Sequence, residues 1–253
     1  MDYAPSQCQL LRTFGEGKEA VALRLGRLGI DDVLELNLAG RHMPETDSYV
    51  AVEVSTTTVE QVPGMHARGF AGGNGLPGMI EFRPDKDLPG ALRSDAVANQ
   101  PTHMRVSLAK RYAVRLELGP MKDAIAALDK CTDNLVSQWG LDPTEQRERA
   151  TPPEPANDPA NWFRASDYPA GLNRAGLSGA VVMRLIVDAT GSVKDCAVAK
   201  AGGDKAFEEL TCKLAIQRAR FRPATGKTGA PIASVWIKRI NWQAARPFVI
   251  QRW

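Results

Sequence analysis

Gly179-Ala-Val-Val-Met-Arg-Leu-Ile-Val-Asp-Ala-Thr-Gly191-Ser-Val193-Lys-Asp-Cys196-Ala-Val-Ala199 is the stretch on which the fold turns. An apolar run of strand length leads into Asp188-Ala-Thr-Gly191-Ser, a turn with glycine where a positive φ is needed. A returning strand starts at Val193, so the two strands form a hairpin. Downstream, Asp204 to Arg220 changes period. Phe207, Leu210, Leu214 and Gln217 (or Ala215 and Arg218) recur at helical spacing, and Phe221-Arg-Pro223-Ala ends that helix because proline cannot continue it. Ile232 to Trp242 reads as a long final strand. The order is β-β-α-β, in a small α+β domain over 161–253.

Upstream of this block, residues 143–160 hold Pro143, Pro152, Pro153, Pro155 and Pro159 among polar and charged neighbours. Prolines at this density favour extended, semi-rigid chain, so the stretch predicts a linker between two domains. The first domain, 1–142, is predicted to be β-rich. Ala20-Val-Ala-Leu-Arg-Leu, Val33-Leu-Glu-Leu-Asn-Leu, Tyr49-Val-Ala-Val-Glu-Val, Met104-Arg-Val-Ser-Leu and Tyr112-Ala-Val-Arg-Leu-Glu-Leu all alternate, the mark of strands with one buried face. One helix is expected in this domain, over Met121 to Trp139. Ile125, Leu128, Cys131 (or Thr132), Leu135 and Trp139 share its apolar face, and Gly140 supplies a stop.

The four cysteines, Cys8, Cys131, Cys196 and Cys212, allow three connectivities. Four buried free thiols are the alternative, and the layout favours one pairing. Cys8 lies in the first strand and Cys131 on the buried face of the helix, so their bond would clip the two ends of the first domain together. Cys196 lies on the second hairpin strand and Cys212 near the middle of the later helix, which packs across the hairpin. Two bonds, each internal to its own domain, predict an oxidising compartment. The chain opens Met-Asp-Tyr-Ala-Pro-Ser-Gln-Cys8, without a basic and apolar leader. Either the protein is cytosolic or an export segment has been removed, and the expected disulfides favour the second. No apolar run reaches the ~20 residues of a membrane-spanning helix.

Several function classes lose support on composition and spacing. With 32 basic against 29 acidic residues, nothing in the charge balance calls for nucleic acid. His42, His66 and His103 have neither a nucleophile motif beside them nor short metal-ligand spacing. Gly69-Phe-Ala-Gly-Gly-Asn-Gly-Leu-Pro-Gly78 lacks the Gly-Lys-Ser/Thr of a phosphate loop and reads as turns. Asp31-Asp32 and Asp85-Lys-Asp87 read as solvated turns. Trp139, Trp162, Trp236, Trp242 and Trp253 read as core or linker anchors. No catalytic residue, metal ligand or cofactor site is expected.

The order and spacing of the second block resemble the C-terminal domain of the energy transducer TonB. The matching features are Tyr168-Pro169 before the first strand, the glycine-led strand and aspartate-to-glycine turn of 179–193, Ala206-Phe-Glu-Glu-Leu with Arg218-Ala-Arg-Phe-Arg-Pro-Ala, and Gly229-Ala-Pro-Ile before the long strand Ser234 to Ile240. The Cys196 and Cys212 pair resembles a variant found in some members. The likeness covers roughly the last 90 residues. It implies a periplasmic, non-enzymatic domain that pairs with a short extended segment, the TonB box, of an outer-membrane receptor. It also implies a place in TonB-dependent transport. The transducer's transmembrane helix and long proline-rich spacer have no counterpart in this sequence, where a folded N-terminal domain stands instead.

Binding is expected by strand addition at Ser234, Val235, Trp236, Ile237, Lys238, Arg239 and Ile240, since an unpaired edge offers a row of backbone donors and acceptors. Lys238 and Arg239 would blunt self-pairing and favour acidic partners. The same edge could instead serve a homodimer or be capped by the tail Arg246 to Trp253. The first domain could instead be an envelope enzyme that uses the second for docking.

Overall fold

The alternating segments of the first half pair into one antiparallel sheet, in a computed structural model of the chain. The structure describes residues 2–4, 7–30, 34–43, 49–59, 62–72, 75–83, 87–109 and 112–244. The chain divides into two compact units, Met1–Asn134 and Leu135–Trp253.

In the first unit the elements run β1 (Asp2–Ala4), β2 (Gln7–Phe14), β3 (Val21–Leu28), β4 (Leu34–Ala39), β5 (Tyr49–Thr56), β6 (Val62–Phe70), β7 (Met79–Phe82), α1 (Asp87–Ala98), β8 (Pro101–Leu108), β9 (Tyr112–Pro120) and α2 (Lys122–Gln138). The sheet order is β1-β2-β3-β4-β7-β6-β5-β8-β9. This is the expected β-rich region, and the five alternating segments fall on β3, β4, β5, β8 and β9. One expectation fails: the unit holds a second helix, α1, besides the one expected near its end. Pro89-Gly90 reads as a turn, but a proline in the first helical turn gives up an N–H that has no helical partner anyway. Leu88, Ala91, Leu92 and Ala96 of α1 are buried. Asp87 therefore opens a helix rather than a turn, while Asp85 lies outside the described residues, as do Asp31-Asp32, Gly73 and Asn74.

The two sheet faces differ in chemistry. Leu23, Leu25, Leu36, Leu38 and Ile80 are buried on one face. α2 packs there, held by the Cys8–Cys131 disulfide and by Arg27, which donates to Asp129 at 2.6 Å. The registers place Leu11, Arg24, Asn37, Glu81, Arg68 and Tyr49 in one row across six strands of the other face. Glu35, only 2% exposed, accepts there from Arg24 and Arg83, each at 2.9 Å. The sheet curls until Arg12 on β2 donates to the Leu118 carbonyl on β9 at 2.8 Å.

In the second unit follow α3 (Pro143–Arg147), β10 (Glu154–Pro155), α4 (Ala170–Arg174), β11 (Gly179–Val187), β12 (Val193–Gly202), α5 (Lys205–Arg218), β13 (Phe221–Arg222), β14 (Ala224–Thr225), β15 (Pro231–Ile232) and β16 (Ser234–Trp242). β11 is central in a three-stranded sheet, between β12 and β16. Gly179 has no room for a side chain, because a Cβ would lie 2.6 Å from the Phe207 ring. Gly191 adopts φ +84° and passes so close to the Phe221 carbonyl that a Cβ would meet it at 1.9 Å. α5 packs across β11 and β12. Met183, Leu185, Val187, Ala215, Phe221 and Trp162 close one core, and Val181, Phe207, Leu214 and Trp242 the next. The Cys196–Cys212 disulfide ties β12 to α5.

The expected extended linker is instead folded onto the second unit. Asp142 caps α3 through the amides of Thr144 and Glu145, with Pro143 at the first helical position. β10 pairs with β13, and Thr151 pairs with Thr225. The prolines start turns and short bridges here, and the polar side chains between them find partners on the domain.

Candidate functional site

β16 pairs with β11 along its whole length, from Val187↔Ser234 to Gly179↔Trp242, without a break in register. Among the described residues its other edge has no partner strand. β12, on the far side, is a poorer edge for pairing. Its register with β11 shifts between Val182 and Met183 and again between Ile186 and Val187, and such irregularities interrupt the regular row of backbone groups. The predicted site residues are thus one continuous strand, Ser234 to Ile240, at an edge that is open among the described residues.

Alternation divides their side chains. Trp236 and Ile240 face α5 and pack partly into its core. Trp236 stands edge-on to Trp162 at 5.6 Å and to Phe221 at 5.2 Å. Lys238 shares that face but is exposed. Val235 is buried on the opposite face, with Ile237 and Arg239 half-buried beside it. Arg239 donates to Asn241 at 3.1 Å.

The face away from α5 is buried too, at Val182, Arg184, Ile186 and Val235, and Trp139 takes part in it in a way the sequence reading missed. Arg184, buried at the middle of β11, lays its guanidinium over the Trp139 ring at 4.9 Å and donates to Asp195 at 2.7 Å. At the start of β16, where Ser234 alternates onto the same side as Trp236, Gln146 of α3 donates to the Ala233 carbonyl at 2.8 Å and accepts from the Ser234 hydroxyl at 2.6 Å. Arg149 donates to the same hydroxyl at 2.9 Å. Ser234 is therefore fully buried and anchors the start of the strand. Asp142-Pro143-Thr-Glu is a helix-start signal, and it was the available pointer to this covering.

The segment before β11 braces the α5 side of the strand, Trp162 near its start and Tyr168 at its end. Trp162 is buried and donates from its indole to Asn157 at 2.9 Å. Tyr168 sets its ring edge-on to Trp242 at 5.8 Å. Asp167 receives two bonds from Arg218 and one from the Arg164 amide. The Arg218 guanidinium holds the Asp167 carboxyl at about 2, against opposing desolvation. Asp188, at the hairpin turn, is held at about 2 first by the Thr190 hydroxyl and then by turn amides and Lys194, again against desolvation.

The three histidines have separate surroundings. His42 stacks on Tyr112 at 4.6 Å and faces Glu19 at 3.3 Å. Burial and the Glu19 carboxylate push the Tyr112 phenol up, with Arg41 pulling the other way. His103 meets the Thr57 hydroxyl at 3.0 Å, and His66 is exposed on β6. Among the described residues no group of three or more His, Cys, Asp or Glu side chains could hold a metal ion. No helix there is long and apolar enough to cross a membrane. Trp253 and the tail from Arg246 lie outside the described residues.

The sheet thus has two buried faces, a bulged strand at one edge and an unbroken one at the other. Residues 164–243 match the family of the Gram-negative bacterial TonB protein C-terminal domain. The match spans α4 through β16 and stops short of the first unit. It makes this a TonB-type domain, periplasmic in kind and belonging to a family without enzymes. No curated protein and no solved structure matched the chain.

Proposed function

We propose that this is a non-enzymatic envelope protein of the periplasm, whose TonB-type domain captures an extended segment of a partner protein by adding it as a strand to β16. The partner class is a TonB-dependent receptor or another envelope protein, and the setting is TonB-dependent transport. The docking element is the ββαβ core of β11, β12, α5 and β16. The single observation that carries this reading is the open edge Ser234–Trp242, unbroken in register beside β11 while both faces of the sheet are covered. Among the described residues such a strand has a partner strand on one side only, and an incoming segment supplies partners on the other without rearranging the domain. The family match adds the expectation that such a segment resembles a TonB box.

The test uses the full chain, isotope-labelled, titrated with a TonB-box-like peptide and with the same peptide N-methylated at alternate residues. Shifts concentrated on Ser234 to Ile240, lost on N-methylation, are expected. Binding that survives N-methylation on both alternate sets sinks strand addition, because no edge ladder forms without those N–H groups.

A further inference from the structure

The three strands of the sheet carry five basic side chains, Arg184, Lys194, Lys200, Lys238 and Arg239, against one carboxylate, Asp195. Arg184 already takes that carboxylate. β16 itself has no acidic residue and places Lys238 and Arg239 next to each other at the centre of its open edge. Adjacent residues point to opposite faces, so the edge is cationic on both sides of the sheet at one level. Above and below that level lie half-buried apolar groups: Trp236 and Ile240 on the α5 side, Ile237 on the other.

Cross-strand neighbours interact directly, opposite charges favourably and like charges unfavourably. We infer that the segment captured by β16 is acidic at its centre. It runs antiparallel and reads, from its N-terminus, apolar-acidic-acidic-apolar-apolar opposite Ile240, Arg239, Lys238, Ile237 and Trp236. The inference rests on β16 being a docking edge and adds the chemistry of what docks. The antiparallel sense follows the pairing of β11 with β16 and the slightly greater stability of antiparallel ladders. The occupant is a different protein, not a second copy of this chain. A symmetric antiparallel pairing of β16 centred on Lys238 would set Lys238 against Lys238, with no carboxylate on either strand.

The test is fluorescence anisotropy of the full chain with three labelled peptides that differ only at the central pair: Val-Glu-Glu-Val-Leu, Val-Thr-Thr-Val-Leu and Val-Lys-Lys-Val-Leu in a common polar flank. The acidic peptide is expected to bind at least fivefold tighter than the neutral one, with the advantage shrinking as salt rises. In the Lys238→Glu/Arg239→Glu variant the order of the acidic and basic peptides should reverse. Both positions are solvent-facing or half-exposed, so the variant keeps its core, and an unchanged circular dichroism spectrum checks this. Equal binding of all three peptides, abolished by N-methylation, overturns the acidic preference and leaves strand addition standing. Binding that ignores N-methylation, or no binding of any peptide, overturns both. So does a concentration-dependent dimer that Lys238→Glu/Arg239→Glu leaves intact.

Discussion

Removing the Cys196–Cys212 bond should lower the stability of the second unit by a calculable amount. The two cysteines are 16 residues apart in sequence. In the loop-entropy model a bond closing a loop of that size restricts the unfolded chain by ~3 kcal/mol at room temperature. Cys196 also packs partly against the core around Met183 and Leu185, so Cys196→Ala/Cys212→Ala adds a small packing loss in the same direction. With a urea slope of ~1–3 kcal/mol per molar, the unfolding midpoint should fall by about 1–3 M at an unchanged slope. The assay is simplified by the placement of the tryptophans. All five, from Trp139 onward, belong to the second unit, and none falls in Met1–Asn134. Tryptophan emission in the full chain therefore reports this unit alone. A midpoint within roughly 0.3 M of the oxidised wild type would refute the reasoning, because the bond would then constrain nothing that the unfolded chain explores.

Acid should weaken the same unit in a defined window. Asp167 and Asp188 both titrate at about 2 in the folded protein, below their usual 3.8, so their stabilisation is complete above pH ~4 and fades as pH falls towards 2. Asp167→Asn should flatten that decline by roughly 1–2 kcal/mol, read as the change in urea midpoint between pH 4.5 and 2.5. Gly191→Ala should cost more than ~2 kcal/mol, since it forces alanine into φ +84° and drives a methyl group into the Phe221 carbonyl; a thermal midpoint unchanged to within a degree would contradict this. Glu35→Ala should destabilise the first unit by ~3 kcal/mol, because Arg24 and Arg83 lose the carboxylate that a nearly closed site gave them. Circular dichroism in the far ultraviolet follows that loss, and the tryptophan signal should not.

The hairpin 179–199 was legible because three independent signals agree there: an apolar run, an Asp-to-Gly turn and a returning strand. The disulfide partners were legible for a related reason, since a strand and a helix face were each identified well enough to say which cysteines meet. α1 was hidden because Pro89-Gly90 carries a turn signature that the helix tolerates in its first turn. β6 was hidden because Pro63, Gly64 and Gly69 interrupt any alternation, and its pairing is settled by neighbours β5 and β7 rather than by its own sequence. The covering of Arg184 and Ser234 by Trp139, Gln146 and Arg149 is long-range, so no local pattern announces it. The edge Ser234–Ile240 could be named as a strand from alternation alone, whereas its lack of a second partner strand among the described residues is a property of topology and needed the structure.

The proline-rich stretch before the TonB-type domain looks like the natural place to cut the chain, and Gln146 with Arg149 shows what such a cut would remove. A fragment starting at 160 loses the bonds that close over Ser234, the bridge from Thr151 to Thr225 and the indole lying on Arg184. The face of β11 that holds Arg184 would then lose the Trp139 ring, and the excised piece would expose surface that the intact protein keeps buried. Self-association of a short fragment would accordingly report the scissors rather than the molecule, and a cut near Leu135 is the one that leaves the second unit whole.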